Sequence, residues 1–508
     1  MKLKERFSKK EWSWIMYDWA NSIYATNIMA AIYPTIFAST FPGGDIRWGY
    51  ASSIATFVIA ILAPFLGSIA DHKGMKKKLF TAFVLLGVVF TPLMAAFGNL
   101  KLCLIGYVIS HIGFAGSNLF YDSFLTDVTT DERMDRVSSW GYAMGYIGGS
   151  TIPFVISIAI LLIFDYNTFA QVFSVLIVSA WWAVFTIPFL KNVKQEHFIE
   201  NSRAFHPADI LKNVVNTFKA IISRRGLFIF MVAYFFYIDG VNTIISISTA
   251  YGSTLGLGST GMILALLVTQ IVAFPCSILF ARLSEKIGAR KSLSMAVAIY
   301  ITICLVGFYM GASMEPTQES SKQVVQDTVN MHIAQLPEIS DEDMETYKND
   351  AIAILRAENA QEEIESLSFF KDDEQKAAYS DAEAAIRADL LLAANDHKEV
   401  FDAYNSDIAF STTLFWMMAF MVGTVQGGIQ AVSRSYFGKL IPKNQSNEFF
   451  GFFDIFGKFA AVIGPALYAF VASITGRSSY GVLGIMLLFL IGIAVLTLGR
   501  KYMDKLTA

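Results

Sequence analysis

Long apolar runs alternate with short polar or basic stretches along most of the chain. A helix that crosses the roughly 30 Å hydrocarbon core of a bilayer needs about 20 mostly apolar residues. Twelve runs meet this requirement, so the pattern predicts an all-α integral membrane protein with twelve transmembrane helices, spans one to twelve. The runs cover approximately 14–39, 48–70, 79–98, 102–126, 137–163, 168–190, 227–250, 260–283, 292–312, 408–432, 448–472 and 478–499.

Two of the polar gaps are much longer than the others, 191–226 after span six and 313–407 after span nine. The first predicts two pseudo-symmetric six-helix bundles, over 1–190 and 227–508, joined by a cytoplasmic linker. The second is rich in Ala, Glu, Asp and Gln, with recurring short apolar pairs. It predicts an insertion of two to four helices within the C-terminal bundle.

The linker carries apolar residues at helical spacing, with Lys212 and Lys219 off the apolar stripe. This pattern fits an amphipathic helix that lies in the membrane interface. It fits equally well a linker helix packed beneath the bundle. The stripe consists of Ile210, Leu211, Val214, Val215, Phe218, Ile221 and Ile222.

Lysine and arginine are distributed unequally between the two sides of the membrane. Counting those at the span ends, 28 lie in the termini and in the gaps after even-numbered spans, and three lie in the short gaps on the other side. Because positive residues favour the cytoplasmic side, both termini are predicted to be cytoplasmic, in a multi-pass protein of the cell inner membrane. The insertion, with 23 acidic and 7 basic residues, then lies outside, as a solvated appendage or as a substrate-binding cap or partner surface.

Composition narrows the class further. The chain is 54% hydrophobic and 16% charged, whereas soluble proteins are about 25% charged. Cys103, Cys276 and Cys304 lie in apolar runs and fit buried hydrophobic positions rather than a disulfide framework. The sequence contains no zinc-protease pattern, phosphate loop or nucleophile elbow. We therefore expect no enzymatic activity, cofactor or metal site, and the basic loops are explained by topology without a nucleic-acid partner.

Spans four and five repeat in spans ten and eleven at a constant offset of 312 residues. Small and helix-breaking residues match, while several charges change sign. Opposite charges at matching places suit two halves that grip each other, so we assign the charged members to a cytoplasmic gate. The matched pairs are Ser123 with Ser435, Gly145 with Gly457, Pro153 with Pro465, Asp122 with Arg434 and Arg136 with Glu448.

A shorter repeat follows spans two and eight. Asp71 is followed three residues later by Gly74 and then by a basic cluster, and Glu285 is followed in the same way by Gly288. The glycine permits a tight turn between spans, and the cations hold the loop in the cytoplasm. Asp71, Gly74 and Glu285 are assigned to the same gate.

The first of these loops, residues 67–78, resembles the loop signature of the major facilitator superfamily, Gly-x-x-x-Asp-basic-x-Gly followed by basic residues. His72 and Met75 stand where Arg or Lys is usual. Residues 17–22, Tyr-Asp-Trp-Ala-Asn-Ser, resemble the opening signature of the vacuole-effluxer-like branch, related to the autophagy-linked amino-acid effluxers of fungal vacuoles. Residues 237–241, 433–437 and 449–465 resemble the same branch, and the resemblance leaves out 313–407.

This resemblance implies a secondary transporter that moves small solutes by alternating access. Two six-helix bundles would rock about a central site near the bilayer midplane.

Carboxylates inside a bilayer are costly unless they are paired, hydrated or protonated. Asp18 lies in span one and Asp239 in the matching span seven, and Asn21 and Asn242 follow them by three residues. Asp239 is deeper in its span and is our preferred proton carrier. Asp18 has either a functional role or a capping or interface role near the cytoplasm.

Asp454 and Lys458 of span eleven are spaced for an i, i+4 ion pair. Alternatively, Lys458 faces the cavity, toward a substrate carboxylate or Asp18. His111 of span four is either a packing residue or a proton relay. Glycines at 141, 145, 148 and 149 favour close packing of span five or bending of it during transport.

The leading hypothesis is a monomeric secondary active transporter of a small polar solute, possibly an amino acid, with proton coupling and a lipid environment. The alternatives are a lipid transporter or flippase on the same scaffold, and a non-transporting receptor or platform that uses the insertion. The substrate and proton pathway is assigned to Asp18, Asn21, Asp239, Asn242, Asp454 and Lys458. The gate is assigned to Asp71, Gly74, Asp122, Arg136, Glu285, Arg434 and Glu448.

Overall fold

Helices account for most of the chain in the computed structural model, which describes residues 7–41, 44–200, 207–357 and 359–503. No strand occurs in these ranges. Eleven of their helices are long and apolar enough to cross a membrane. The main helices of spans two to four and six to twelve are Gly44–Ala70, Met75–Phe90, Leu100–Ser123, Thr168–Asn192, Arg225–Thr254, Ser259–Ile287, Ala289–Asn330, Lys398–Leu440, Ser446–Thr475 and Ser478–Leu498.

Short helices flank several of these spans. Thr91–Ala95 continues span three as a 3-10 helix, Leu125–Val128 follows span four, Lys443–Gln445 is a 3-10 helix before span eleven, and Arg500–Met503 follows span twelve.

Span one is broken into three consecutive segments, Lys9–Ile23, the π-helix Tyr24–Ala30 and Ile32–Thr40. Its start is fixed by a capping box in which Ser8 accepts from the Glu11 backbone and the Glu11 side chain accepts from the Ser8 backbone. No segment is long enough to cross the membrane alone. The three segments together therefore form span one, and the helical hydrogen-bonding pattern changes from one segment to the next.

Span five is interrupted in the same way. It runs as Asp131–Met144, the π-helix Gly145–Thr151 and Ile152–Ile163. π-helical turns are rare and often mark functional sites. Here one lies in span one and one in span five, two spans that pack against each other.

The glycines of span five make room for span one. A methyl group on Gly148 would lie 1.9 Å from the Trp19 ring, and one on Gly149 would lie 2.6 Å from Ser22. Gly141 and Gly145 face span one as well. The close-packing interpretation of these glycines is therefore confirmed, and the π segment that begins at Gly145 shows that the helix is also irregular there.

The insertion is built on spans nine and ten, which continue far beyond the bilayer. Span nine contains 42 residues and span ten contains 43, so each is about 63 Å long, roughly twice the hydrocarbon thickness. The apolar runs therefore underestimate both helices. Further helices pack between them: Ile333–Gln335, Asp341–Leu355, Ala360–Glu363, Ile364–Ser366, Asp373–Ala378 and Ser380–Asp396.

The insertion has its own small core and is tied to the C-terminal half. Tyr347 stacks on Phe369 with ring centroids 3.5 Å apart. At its base, the Tyr404 hydroxyl donates to the Leu255 carbonyl at 2.8 Å, and the Gln318 amide donates to the Thr254 carbonyl at 2.9 Å. These bonds join it to the end of span seven, within the same half of the protein.

The linker helix, Pro207–Ser223, packs against spans two, seven and eleven. We call the end of the bundle that carries this helix the linker end, and the end that carries 313–407 the insertion end. The two halves meet closely at the linker end because small residues face backbone there. A methyl group on Gly67 of span two would lie 2.8 Å from the Asn447 carbonyl carbon, and one on Gly451 of span eleven would lie 2.9 Å from the Ala63 carbonyl oxygen.

Candidate site at the interface of the two halves

Asp122 of span four and Arg434 of span ten join the two halves. Arg434 Nη1 lies 2.8 Å from Asp122 Oδ1, and Nη2 lies 3.4 Å from Asp18 Oδ2. The remaining donors bind Ser138 of span five, Nε to its hydroxyl at 2.9 Å and Nη2 to its carbonyl at 3.0 Å. A buried cation persists when carboxylates and hydrogen bonds satisfy it together, and Arg434 meets this condition. The predicted Asp122–Arg434 pair is thus present, with Asp18 as a further partner.

Three aromatic rings enclose the same guanidinium. Its central carbon lies 4.7 Å from the Trp14 ring, 5.3 Å from Tyr121 and 4.5 Å from Tyr142. The Tyr121 hydroxyl donates to Asp18 Oδ2 at 2.7 Å. Rings within about 6 Å of a desolvated cation stabilise it, so span one, span four and span five together hold the arginine of span ten.

Asp71, just after span two, caps span eleven in the other half. Its Oδ1 accepts from the Asn447 backbone at 2.9 Å and from the Asn447 amide at 2.7 Å, and its Oδ2 accepts from the Glu448 backbone at 3.1 Å. Span eleven begins at Ser446, so these backbone donors belong to its first turn, which lacks partners within the helix. The helix dipole favours a carboxylate at this place.

The environment of Asp71 is strongly desolvated. Burial raises the pKa of Asp71 to about 7, although Lys76 and the donors of Asn447 and Glu448 favour the ionised form. Gly74, three residues later, has φ of 74°, a left-handed conformation that glycine adopts without steric cost. The glycine thus turns the chain between spans two and three as predicted.

Lys76 forms a second buried contact at the linker end. Its Nζ lies 2.6 Å from Asp127 Oδ2 and 3.0 Å from the Ser446 hydroxyl. Asp127 Oδ1 accepts from the backbones of Glu196 and His197 at 2.9 and 2.8 Å. The loop after span two, the end of span four, the segment after span six and the start of span eleven therefore meet at one lysine–aspartate pair.

The 312-residue repeat predicts which charged residues touch. Asp122 and Arg434 are one repeat apart and in contact. Asp131 and Lys443 are also one repeat apart and form an ion pair. Equivalent residues of two related units touch each other near a two-fold axis, so both pairs lie near the pseudo-symmetry axis between the halves.

Reciprocal contacts surround this axis. The Ser123 hydroxyl donates to the Asn447 side chain, and the Ser435 hydroxyl donates to Asp135 Oδ1 at 2.6 Å. Ser435 is the repeat equivalent of Ser123, and Asn447 is the equivalent of Asp135. The same interaction is therefore made twice with exchanged halves, as in a two-fold symmetric interface.

The second loop, after span eight, departs from this symmetry. Glu285 is exposed, and its neighbour Ser284 donates instead to Asp135 Oδ2 at 2.8 Å. Lys439 also contacts Asp135, at 2.7 Å. The carboxylate of this contact is supplied by span five, while Glu285 lies within electrostatic range of Arg133 of span five, so its role in the gate remains a prediction. Arg136 lies over the Phe7 ring at 5.3 Å.

Asp239 of span seven is fully buried. Its Oδ1 accepts from the Gly464 backbone at 2.9 Å, and the next residue in span eleven is Pro465, which disturbs helix hydrogen bonding. Within the described ranges, Oδ2 has no hydrogen-bond partner and no ion pair reaches this carboxyl group. Lys458 is paired elsewhere. An ionised carboxylate without a cation in such a place is costly.

Asp18 and Asp239 occupy matching helices but different depths. Asp18 packs against Gly141 and Gly145 of span five, whereas Asp239 packs against Gly464 of span eleven. The repeat equivalent of Gly464 is residue 152, at least seven positions beyond Gly145. Asp239 therefore lies about 10 Å farther from the linker end, and the two carboxylates are not structural equivalents.

Asp454 and Lys458 of span eleven form the i, i+4 ion pair, with side chains 26% and 17% exposed. The alternative in which Lys458 reaches Asp18 is not observed, since Asp18 contacts Arg434. His111 of span four hydrogen-bonds to the Tyr107 hydroxyl at 3.0 Å and lies within electrostatic range of Lys458. An imidazole of the N-terminal half thus faces an ammonium group of the C-terminal half.

The two asparagines have different surroundings. Asn21 is buried and donates to Asn118 of span four, which ties span one to its own half. Asn242 is half-buried in span seven. Asn21 therefore has a structural contact, while Asn242 remains a predicted pathway residue.

Close contacts between the halves extend from the linker end up to Tyr146 of span five and Gly427 of span ten, where a methyl group on Gly427 would lie 2.7 Å from the Tyr146 ring. Beyond this level, apolar side chains of spans two and eleven are widely exposed, namely Tyr50, Ile54 and Phe57 in the former and Phe459, Val462, Phe470 and Ile474 in the latter. The interface is therefore sealed at the linker end.

Comparison with protein families identifies the chain's relatives. A family model described as "Vacuole effluxer Atg22 like" matches residues 48–131, 126–318 and 410–501. The chain belongs to this family. The unmatched segment between 318 and 410 falls in the insertion, so the insertion is additional to the Atg22-like core.

Full-length relatives agree with this assignment. The chain is 36% identical over 509 residues to the "Uncharacterized MFS-type transporter YxiO" of Bacillus subtilis, covering 97% of this chain and 95% of YxiO. It is 22% identical over 391 residues to Autophagy-related protein 22 of Cryptococcus neoformans, covering 76% of this chain and 55% of that protein. YxiO is named an MFS-type transporter and the matching family a vacuole effluxer family, in agreement with the expectation that this Atg22-like chain is not an enzyme.

Solved structures show the same fold. The major facilitator transporter FucP in its outward conformation superposes with a TM-score of 0.58 at 14% identity, covering 97% of this chain and 98% of FucP. A bacterial homologue of the iron transporter ferroportin, in its outward-facing state, gives a TM-score of 0.56 at 12% identity over 97% and 98% of the two chains. The Atg22-like chain therefore has the major facilitator fold, as predicted.

Sequence reasoning missed several residues of the site. Asp127, Asp131 and Asp135 were not singled out, although 312 residues separate Asp127 from Lys439 and Asp131 from Lys443. Extending the repeat alignment past Asp122 reveals these oppositely charged pairs. Trp14 gave no comparable signal, because an aromatic residue at the start of a span is common at membrane interfaces.

Proposed function

We propose that this Atg22-like protein is a secondary active transporter that moves a small polar solute, with amino acids as the leading class, by proton-coupled alternating access. It acts as a monomer in the cell inner membrane, with the linker end in the cytoplasm and the insertion outside. Residues 1–190 and 227–508 form the two moving halves. The basic character of the linker end supports this orientation.

One observation carries the transport proposal: polar and ionic contacts, rather than apolar packing alone, close the linker end. Asp122–Arg434, Asp71 with the first turn of span eleven, and Ser123–Asn447 all cross between the halves. Such contacts exchange protein partners for water when the halves separate, so two states can be close in free energy. In an interface that never opens, apolar residues at these places would give more stability than these polar and ionic contacts do.

The solute class is supported by the pair of Asp454 and Lys458. Both are partly exposed at the level where the halves cease to be hydrogen-bonded. A carboxylate and an ammonium group on one helix face are complementary to the ammonium and carboxylate of an amino acid. His111 and Asn118 of span four lie on the opposing half and supply further polar groups.

Proton coupling is assigned to Asp239. It is buried with a single backbone donor and no cation, an arrangement that suits a neutral carboxylic acid. Opening of the bundle at this level would admit water and favour release of the proton. The exchange of environments, rather than contact with Lys458, would couple proton movement to transport.

The alternative functions receive less support. The described C-terminal half contains an apolar cavity of about 120 Å³ between spans seven to twelve. This volume is small compared with the roughly 300–1,000 Å³ of ligand pockets and smaller still compared with the volume of a lipid.

The insertion is anchored to the C-terminal half at Leu255 and Thr254, so we propose that it moves with that half.

Reconstituted transport tests the proposal. Purified protein in liposomes is assayed for uptake of radiolabelled amino acids with and without an imposed pH gradient. We expect gradient-driven accumulation by the wild type and loss of accumulation, with solute exchange retained, in Asp239→Asn. Asp373→Asn, at a fully exposed position of the insertion, serves as the matched control. Accumulation by Asp239→Asn equal to the wild type would remove Asp239 from the mechanism, and wild-type uptake indifferent to pH would refute proton coupling.

A further inference from the structure

The linker helix presents three distinct faces. Val214, Thr217 and Ile221 face the bundle, with Thr217 and Ile221 buried. A second face carries Lys212, Asn216, Lys219 and Ser223, all exposed. A third face is apolar and largely exposed: Leu211, Val215, Phe218 and Ile222 are 55%, 43%, 45% and 46% exposed.

The apolar face lies between the other two. With about 100° between successive residues, its centre is roughly 100° from the centre of the bundle face and roughly 100° from that of the polar face, and the polar and bundle faces are roughly 160° apart. A helix that lies beside a membrane protein at the bilayer surface needs this order: one side on protein, one in the acyl boundary and one in water. A helix packed in water beside the bundle would need only two.

The position of the helix fits the same interpretation. It contacts spans two, seven and eleven at their linker ends, and Phe218 stacks against Phe452 of span eleven at 5.8 Å. One residue separates it from span seven, which begins at Arg225 and exposes Phe228 one turn later. The exposed stripe is therefore continuous with a surface that faces lipid.

The basic residues beside the apolar face indicate that the lipid headgroups are anionic. Lys212 and Lys219 border the apolar face, and Arg224 and Arg225 follow the helix, all four exposed. Basic residues beside an apolar stripe are attracted to anionic headgroups, each contributing roughly a fivefold factor in binding. We propose that the linker helix is a docking surface for an anionic lipid monolayer at the linker end.

Binding of lipid to the linker helix would affect the gate, because the helix contacts residues of the gate. On the bundle face, Thr217 lies beside the carboxyl group of Glu448, the residue whose backbone donates to Asp71. The helix also touches span two in one half and span eleven in the other. Anionic lipid that holds the helix in place therefore favours the arrangement closed at the linker end.

Spin-label accessibility tests the location of the helix in the full-length protein. Cysteines are introduced as Val215→Cys, Ile222→Cys and, as the matched control on the polar face, Asn216→Cys, in a cysteine-free background reconstituted in phosphatidylglycerol-containing vesicles. We expect labels at 215 and 222 to be relaxed by oxygen and shielded from a nickel chelate, with the reverse at 216. Equal access of the nickel chelate to all three would overturn the proposal.

Lipid composition tests the charge. The share of molecules closed at the linker end is measured by spin-label distances in phosphatidylcholine vesicles with and without phosphatidylglycerol. We expect a several-fold increase with phosphatidylglycerol, lost in the Lys212→Gln/Lys219→Gln double variant and retained in Lys101→Gln, an exposed lysine at the insertion end. No effect of phosphatidylglycerol, or an undiminished effect in the double variant, would refute recognition of anionic lipid.

Discussion

Asp122 and Arg434 are separated by 312 residues, the length of the internal repeat, and form a 2.8 Å ion pair across the two halves of the protein. The duplicated helices have diverged to opposite charge at a position where the pseudo-symmetry axis brings them together. The interface is thereby made specific, because like charges at this place would repel.

Removal of one carboxylate from this cluster should weaken the closed arrangement. In Asp122→Asn the buried arginine keeps its hydrogen bonds to Ser138 but only one carboxylate, Asp18, at the longer distance. We expect a loss of about 1–3 kcal/mol from the closed state, after partial compensation by Asp18. The measurement is the distribution of spin-label distances across the linker end. Asp131→Asn is the matched control, since its pair with Lys443 is half-exposed and worth about 0–1 kcal/mol. Equal shifts in both variants would contradict a special role of Arg434.

The Asp71 contact makes closure depend on pH. Burial raises the pKa of Asp71 from 3.8 to about 7 in the closed state, whereas a hydrated Asp71 in an open state titrates near its ordinary value. Closure then takes up a proton, so the closed state gains stability as pH falls from about 7 to 4 and loses it as pH rises through 7. The expected slope is at most about tenfold in the closed-to-open ratio per pH unit.

The same distance measurement, repeated over pH, checks this sign. Asp71→Asn resembles the protonated acid and cannot titrate, so it should flatten the dependence between pH 4 and 7. A slope that survives in this variant would assign the titration to another group, with Glu448 as the neighbour to examine next.

Close packing of spans one and five should be sensitive to a single methyl group. Gly148→Ala would place a carbon 1.9 Å from the Trp19 ring, and overpacking of this kind costs about 1–3 kcal/mol. Thermal unfolding followed by size-exclusion in detergent measures the loss. Gly49→Ala, where nothing lies within 4 Å, should leave the melting temperature unchanged, and similar losses in both variants would point to a general effect of alanine.

Accessibility of introduced cysteines tests the orientation. Asp373→Cys in the insertion should react with an impermeant maleimide added to intact cells, and Lys78→Cys should not. Lys78 is exposed, which makes it a better reporter than Lys76, a fully buried residue. The native cysteines are replaced beforehand. Labelling of Lys78→Cys without labelling of Asp373→Cys would invert the topology.

Much of the fold follows from the sequence because its cause is local. The bilayer demands about 20 apolar residues for each span, and such runs are visible without knowledge of their neighbours. The same reasoning fails where length does not decide structure. The apolar runs end near residues 312 and 408, yet the helices continue to Asn330 and begin at Lys398, because polar helix formers extend them into water.

The candidate site is less predictable because its contacts are made between distant helices. The repeat offset predicts the Asp122–Arg434 pair. It does not predict which residue meets the loop that contains Glu285, because that loop contacts Asp135, a carboxylate supplied by span five. Depth is also a property of packing. Asp18 and Asp239 lie in matching helices, and only the glycines beside them reveal that they differ by about 10 Å.

The central claim is alternating access, and paired distances at both ends of one molecule test it most directly. One label pair spans the insertion end at Lys101→Cys and Arg477→Cys, and the other spans the linker end at Lys78→Cys and Lys286→Cys, all at exposed positions. When pH or amino acids shift the populations in liposomes, the account predicts that one distance shortens as the other lengthens. Distances that stay fixed, or that change in the same direction, would contradict it.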